Sequence, residues 1–113
     1  MINSFSVVIP IFNEKDNILI LVEEINKALS NNYTYEIIIV DDCSSDGTLD
    51  LFSGNPILNC KFIRHKKNKG QSESIRTGIL NSNFNSIVTI DGDLQNDPTD
   101  IPKLINIYME SKD

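Results

Sequence analysis

Apolar residues in this chain come in short unbroken runs, separated by longer stretches in which they recur every three or four positions. Residues 5–9 (Phe-Ser-Val-Val-Ile) and 36–40 (Glu-Ile-Ile-Ile-Val) are runs ending at Pro10 and at Asp41-Asp42, the pattern of strands covered on both faces. Weaker runs at 61–64 and 86–90 predict a third and a fourth strand. Between the first two, Ile18, Leu21, Val22, Ile25 and Leu29 keep helical spacing. With Asn13 as N-cap and Asp16 in the first turn, they predict a helix over 14–30. The polar turn at 44–48 leads into a short helix carrying Leu49 and Phe52, closed by Gly54-Asn55-Pro56. Ile75, Ile79 and Leu80 give a third stripe within 71–81, where Gly78 implies close packing against a neighbour. A fourth stripe, Leu104, Ile105, Tyr108 and Met109, follows Thr99 as N-cap and Pro102 in the first turn.

Strand and helix therefore alternate four times, which predicts an α/β fold: a three-layer arrangement with a mostly parallel sheet, right-handed crossovers and helices on both faces. In 113 residues there is room for one domain, spanning 1–113, and 40% hydrophobic content supplies a core. A net charge of -6 argues against a nucleic-acid binder, since affinity for phosphate backbones comes from clustered cations. Lys61, Arg64, His65, Lys66, Lys67 and Lys69 do cluster in sequence; they read either as a patch facing a diphosphate or anionic lipid, or as a solvated loop. Cys43 and Cys60 have neither metal nor redox spacing, which suits a reduced, cytoplasmic setting. No apolar run approaches the roughly 20 residues that span a bilayer, and no signal peptide is evident, so any membrane association is expected to be peripheral or to run through parts outside this chain.

The chemistry concentrates at predicted strand ends. In Ile-Val-Thr-Ile-Asp-Gly-Asp-Leu-Gln-Asn-Asp-Pro (87–98), Asp91 and Asp93 flank Gly92, whose freedom lets both carboxylates turn toward one cation, and Gln95 adds a neutral oxygen. Hard cations such as Mg²⁺ or Mn²⁺ take such ligands together with phosphate oxygens; an ordinary solvated Asp-Gly turn is the alternative. Residues 10–14 and Asp41-Asp42 fall at the carboxyl ends of the first and second strands, where ligands bind in open sheets of this class. Like charges gathered at one rim repel unless a cation or a hydrogen-bonding ligand joins them. A receiver-like module would carry its acid pair after the first strand. A dinucleotide oxidoreductase would have G-x-G-x-x-G where Pro10-Ile11-Phe12-Asn13-Glu14 stands, and no P-loop is present.

Val-Ile-Pro-Ile-Phe-Asn-Glu (8–14), Ile-Val-Asp-Asp-Cys-Ser-Ser-Asp-Gly-Thr (39–48), Asn-Lys-Gly-Gln (68–71) with Gly78, and Asp-Gly-Asp-Leu-Gln-Asn-Asp-Pro (91–98) together resemble the N-terminal part of a family 2 glycosyltransferase. The fold implied is GT-A, a Rossmann-like nucleotide-binding half that is truncated here. The Asp-Gly-Asp-Leu-Gln version resembles the dolichol- and polyprenyl-phosphate sugar transferases. The resemblance implies an inverting transfer of a hexose from a GDP- or UDP-linked sugar to a lipid phosphate at the membrane surface. Its alternatives are a nucleotide-sugar-binding fragment without turnover and a family 2 transferase acting on a saccharide hydroxyl.

Carried over residue by residue, the resemblance implies a nucleotide pocket of Pro10, Phe12, Glu14, Val40, Asp42, Asp91, Gly92 and Asp93, with Asp42 accepting from the base. Asp91 and Asp93 are the implied catalytic pair, and Asp91, Asp93 and Gln95 the implied metal ligands. Phe12 stands where the family often has Tyr. Glu14 reads equally as a first-turn acid of the first helix, and Asp46 is read as a helix-capping carboxylate. Members of the family continue through further strands, whereas this chain stops at Asp113. An uncovered fourth-strand edge would favour a homodimer.

Overall fold

The computed structural model describes residues 4–53, 57–91 and 110–111. The β-branched run predicted at 5–9 forms β1 (Ser4–Ile11), and the run at 36–40 forms β2 (Thr34–Asp41). β3 (Cys60–Arg64) lies outside β2, β4 (Ser86–Thr89) lies on the other side of β1, and β5 (Glu110–Ser111) follows β4. The sheet order is β3-β2-β1-β4-β5, parallel throughout except for β5. With β1 and β2 enclosed by neighbours and by helices, their side chains have no wet face, which is why the runs do not alternate. Phe5, Val7, Val8 and Ile9 in β1, and Ile37, Ile38, Ile39 and Val40 in β2, are fully buried.

The helices divide between the faces. α1 (Ile18–Leu29) and α2 (Thr48–Phe52) cover one side, where Ile18, Leu21, Val22, Ile25 and Leu29 pack with Phe5, Val7, Ile9, Ile37 and Ile39. α3 (Gln71–Leu80) covers the other, over Val8, Ile38, Val40 and Ile87. Its contact is close: a Cβ built on Gly78 would stand 2.4 Å from Cγ1 of Val8, so only glycine lets the helix lie this near the sheet.

Several expectations shift. Residues 14–17 form a turn instead of the first turn of α1. Asn13 adopts φ 57° and gives its side-chain oxygen to Ser45 N–H at 2.8 Å, so that oxygen is not available to cap the helix. On α3 the buried positions are Ser74 and Gly78, with Ile79 partly buried against the sheet, while Leu80 is 69% exposed. The first part of the basic run is divided by strand alternation and neighbouring acids, while Lys66, Lys67 and Lys69 are exposed in the loop that follows. Lys61 pairs with Glu36, Arg64 with Asp41 and His65 with Asp42. The fourth-strand edge that motivated a homodimer is covered at Ser86 and Ile87 by antiparallel β5. The fourth helix expected after Thr99 lies outside the described residues.

Pro10 is accommodated by register. β1 pairs with β4 only over Ser6–Val8, closed by Ile90 N–H to the Val8 carbonyl. The missing N–H of Pro10 falls on that same side, beyond the end of the ladder, and costs no bond.

Candidate functional site

β2 and β3 follow β1 on one side and β4 lies on the other, so the strand order reverses at β1. A crevice opens there, beyond the carboxyl ends of β1 and β4. It holds a cleft of about 270 Å³ lined by Pro10, Ile11, Phe12, Glu14, Asp42, Gln71, Ser74 and Asp91. Three loops meet at it, and all three supply acids.

Asp42 is the most constrained of these. It is 5% exposed, yet its carboxylate is well supplied with donors. Oδ1 accepts from His65 Nδ1 at 2.8 Å and from Lys69 N–H at 2.8 Å, and Oδ2 accepts from Gly70 N–H at 2.9 Å. Burial alone would raise its pKa; the bonds from His65, Lys69 and Gly70 outweigh it and hold the carboxyl below its ordinary value. Because a carboxylate only accepts, Nδ1 of His65 carries the proton, and in the neutral ring Nε2 accepts from the Thr77 hydroxyl at 2.8 Å. The left-handed backbone of Gly70, φ 94°, turns the loop so that its amide reaches Asp42.

The neighbouring acid does different work. Asp41 is fully buried and bonds Arg64 Nη1 at 2.7 Å; the Ser44 hydroxyl and N–H donate to its other oxygen. Arg64 also donates to the Ser44 carbonyl at 3.0 Å, so the turn after β2 is held from both sides. The loops after β1 and β2 are joined directly. Asn13 N–H donates to Ser44 Oγ, Ser45 N–H to Asn13 Oδ1, and Lys15 N–H to Asp46 Oδ2. Asp46 uses its other oxygen on the N–H and hydroxyl of Thr48, one residue before the cap position expected of it, which Gly47 occupies.

Of the residues singled out in sequence, Pro10, Phe12, Glu14, Asp42 and Asp91 line one cleft. Phe12 is 49% exposed, an aromatic face open to solvent. Glu14 Oε2 accepts from Asn17 Nδ2 at 3.0 Å, and Asp91 has Gln71 Nε2 at 3.5 Å. Val40 does not line the cleft; it is buried beneath it among Val8, Ile38 and Ile87. Gly92, Asp93 and Gln95 lie outside the described residues. Sequence reasoning missed Gln71 and Ser74 as lining residues and His65 as the partner of Asp42. A base at the end of one strand beside acids ending its parallel neighbour was the available signal for His65.

A family model described as Glycosyl transferase family 2 matches residues 6–113. The chain belongs to this family. It is 39% identical over 105 residues to a dodecaprenyl-phosphate galacturonate synthase of Rhizobium johnstonii, an alignment covering 89% of the chain and 31% of the relative. It is 35% identical over 116 residues to an undecaprenyl-phosphate 4-deoxy-4-formamido-L-arabinose transferase of Yersinia enterocolitica, covering 99% and 36%. The chain thus spans about a third of the length of these curated relatives.

Among solved structures it resembles S. aureus TarS in complex with UDP, with TM-score 0.69 and 26% identity over 80% of the chain and 27% of that protein. The mannosyltransferase PcManGT of Pyrobaculum calidifontis, solved with GDP-Man and Mn²⁺, superposes with TM-score 0.72 at 20% identity over 82% and 28%, a likeness of fold. The GT-A architecture expected from the sequence motifs is therefore the one adopted. No helix among the described residues is long and apolar enough to cross a membrane.

Proposed function

We propose that residues 1–113 are the nucleotide-sugar-binding part of a hexosyltransferase that moves a sugar, with inversion, from a UDP- or GDP-linked donor to a polyprenyl phosphate. The observation carrying this reading is the convergence of Phe12, Glu14, Asp42 and Asp91, from three strand ends, on one cleft at the point where strand order reverses. The lipid-phosphate acceptor is supported by similarity to two relatives named for dodecaprenyl- and undecaprenyl-phosphate substrates.

In this reading the exposed ring of Phe12 offers a face to the base, and Asp42 accepts from a base N–H. Asp91 is an exposed carboxylate at the cleft, and its hard oxygens are of the kind a divalent cation takes. The described residues contain no group of three acidic, histidine or cysteine side chains able to hold a metal. In this reading Mg²⁺ or Mn²⁺ would be held by Asp91 with Asp93 and Gln95, as the motif resemblance implies, the remaining positions going to phosphate oxygens. Such a cation, when bound, neutralises charge developing on the departing nucleoside diphosphate. Asp91 and Asp93 are the catalytic pair in that sense, and Glu14 completes the acid rim. A phosphate acceptor is already anionic at neutral pH, so the reaction needs no strong general base on this chain. Such a chain would work peripherally at the cytoplasmic face of the membrane, where the lipid phosphate is presented.

Titration calorimetry with UDP-, GDP- and dTDP-sugars, with and without Mn²⁺, tests the reading. We expect one nucleotide class to bind, more tightly with Mn²⁺. A folded chain that binds none of them would overturn it.

A further inference from the structure

We propose that His65 is a positioning residue of this cleft. Its Nδ1–H orients the Asp42 carboxylate to receive a nucleobase, and its Nε2 ties that orientation to α3. The inference rests on the nucleotide-binding reading above and adds a residue that the reading does not require.

Asp42 has four lone-pair positions and three donors: His65 and Lys69 on Oδ1, Gly70 on Oδ2. One position on Oδ2 is therefore left without a partner among the described residues, on a side chain that lines the cleft. That position is where a base N–H would be accepted. Two of the three donors are backbone amides of the loop entering α3, so they cannot hold the carboxylate independently of that loop. His65 is the only side chain among the three, and it comes from a different element, the end of β3.

The imidazole has little freedom of its own. It is 6% exposed, and each ring nitrogen has a partner at 2.8 Å, Asp42 on one side and Thr77 of α3 on the other. β2, β3 and α3 meet at this one ring. Along β3 and the residue just past it, the positions that face α3 alternate as Lys61, Ile63 and His65, and Ile63 packs against the apolar cluster. If the place of His65 called only for packing, a second aliphatic side chain would fill it without the cost of burying a polar ring. What an aliphatic residue cannot do is donate to Asp42.

Titration of the 113-residue chain with UDP, GDP and dTDP, comparing wild type with His65→Ala, His65→Asn and Thr77→Val, tests the proposal. His65→Ala is expected to lose about tenfold in affinity for whichever nucleotide the wild type binds, the scale of a hydrogen bond to a charged group. His65→Asn, whose amide N–H can stand near the place of Nδ1–H, is expected to stay within about threefold of wild type, as is Thr77→Val, which loses only a neutral bond. Imidazole ¹⁵N shifts of the wild type should report the Nδ1–H tautomer.

Unchanged affinity in a folded His65→Ala would overturn this inference while leaving nucleotide binding intact. So would a folded His65→Asn that loses tenfold or more, since the effect would then be one of packing; that comparison decides the matter if His65→Ala does not fold. A wild type that binds no nucleotide overturns both this inference and the reading beneath it.

Discussion

β2 carries a buried carboxylate near each end, and the two are almost equally hidden: Glu36 is 7% exposed and Asp42 5%. Both face the α3 side of the sheet, with Ile38 and Val40 between them. At the lower end Glu36 takes four donors: the Ser6 hydroxyl, Asn83 N–H and Nδ2, and Lys61 Nζ at 3.1 Å. Every lone-pair position is used, and the end is closed. At the upper end Asp42 takes three donors and lines a cleft. On the reading proposed above, the same chemistry makes a fastener at one end and a receptor at the other, and one missing donor separates them. The fully satisfied carboxylate stabilises the fold, while the proposed role of the incompletely satisfied one is to receive a ligand.

The largest test of this contrast is mechanical. Gly78 lies between the two ends of α3, and valine there would force Cβ to 2.4 Å from Val8. Gly78→Val should cost about 3 kcal/mol in urea unfolding, the upper range for overpacking, and should weaken nucleotide binding by lifting the donors from Asp42. Preserved binding would show that the receptor end does not depend on α3.

Glu36→Ala should come next, at about 2–3 kcal/mol, because the Ser6 and Asn83 donors lose a buried acceptor. Burial opposes ionisation of Glu36, but the bonds from Ser6, Asn83 and Lys61 prevail and its folded pKa lies below the ordinary value. Its contribution is therefore present above the unfolded carboxylate pKa, near 4, and fades as the pH falls through the folded value. The difference between wild type and Glu36→Ala should shrink in unfolding curves taken below about pH 4. Nucleotide affinity at neutral pH should be unaffected.

Asp42→Asn should do the reverse. Its amide would set N–H against N–H, and we expect at least a tenfold loss of nucleotide affinity by calorimetry, about 1.4 kcal/mol. If the Asp42→Asn variant binds normally, the upper carboxylate is only a second fastener.

The smallest effect concerns strain at the open end. Cys43 holds φ 67° in the turn after Asp42, and its thiol makes two long contacts, donating to the Lys66 carbonyl at 3.6 Å and accepting from Arg64 Nη2 at 4.0 Å. Cys43→Gly should raise stability by up to about 1 kcal/mol and leave affinity unchanged.

The architecture is largely legible in the sequence because burial on both faces leaves a direct trace in composition. β1 and β2 are visible as unbroken runs, and Gly78 reveals the close approach of α3. The start of α1 is not, because Asn13, a good cap by local rules, is bonded instead to Ser45, 32 positions away. Glu36 reads only as the first residue of a strand, since its partners Ser6 and Asn83 lie 30 and 47 positions away. Likewise the basic run at 61–69 looks like one feature, although β3 alternation sends Lys61 and His65 to one face and Arg64 to the other. Local propensity announces elements; pairs between distant polar residues become visible only once register is known.

The seam between the loops after β1 and β2 has a thermodynamic consequence for recognition. Asn13, Lys15, Ser44, Ser45 and Asp46 exchange their bonds within the protein before any ligand arrives. A ligand meeting that side of the cleft does not have to order it, so little association free energy goes into fixing these backbone torsions. The expected signature is protection of the Asn13, Lys15 and Ser45 amides from hydrogen exchange in the free chain, little altered on binding.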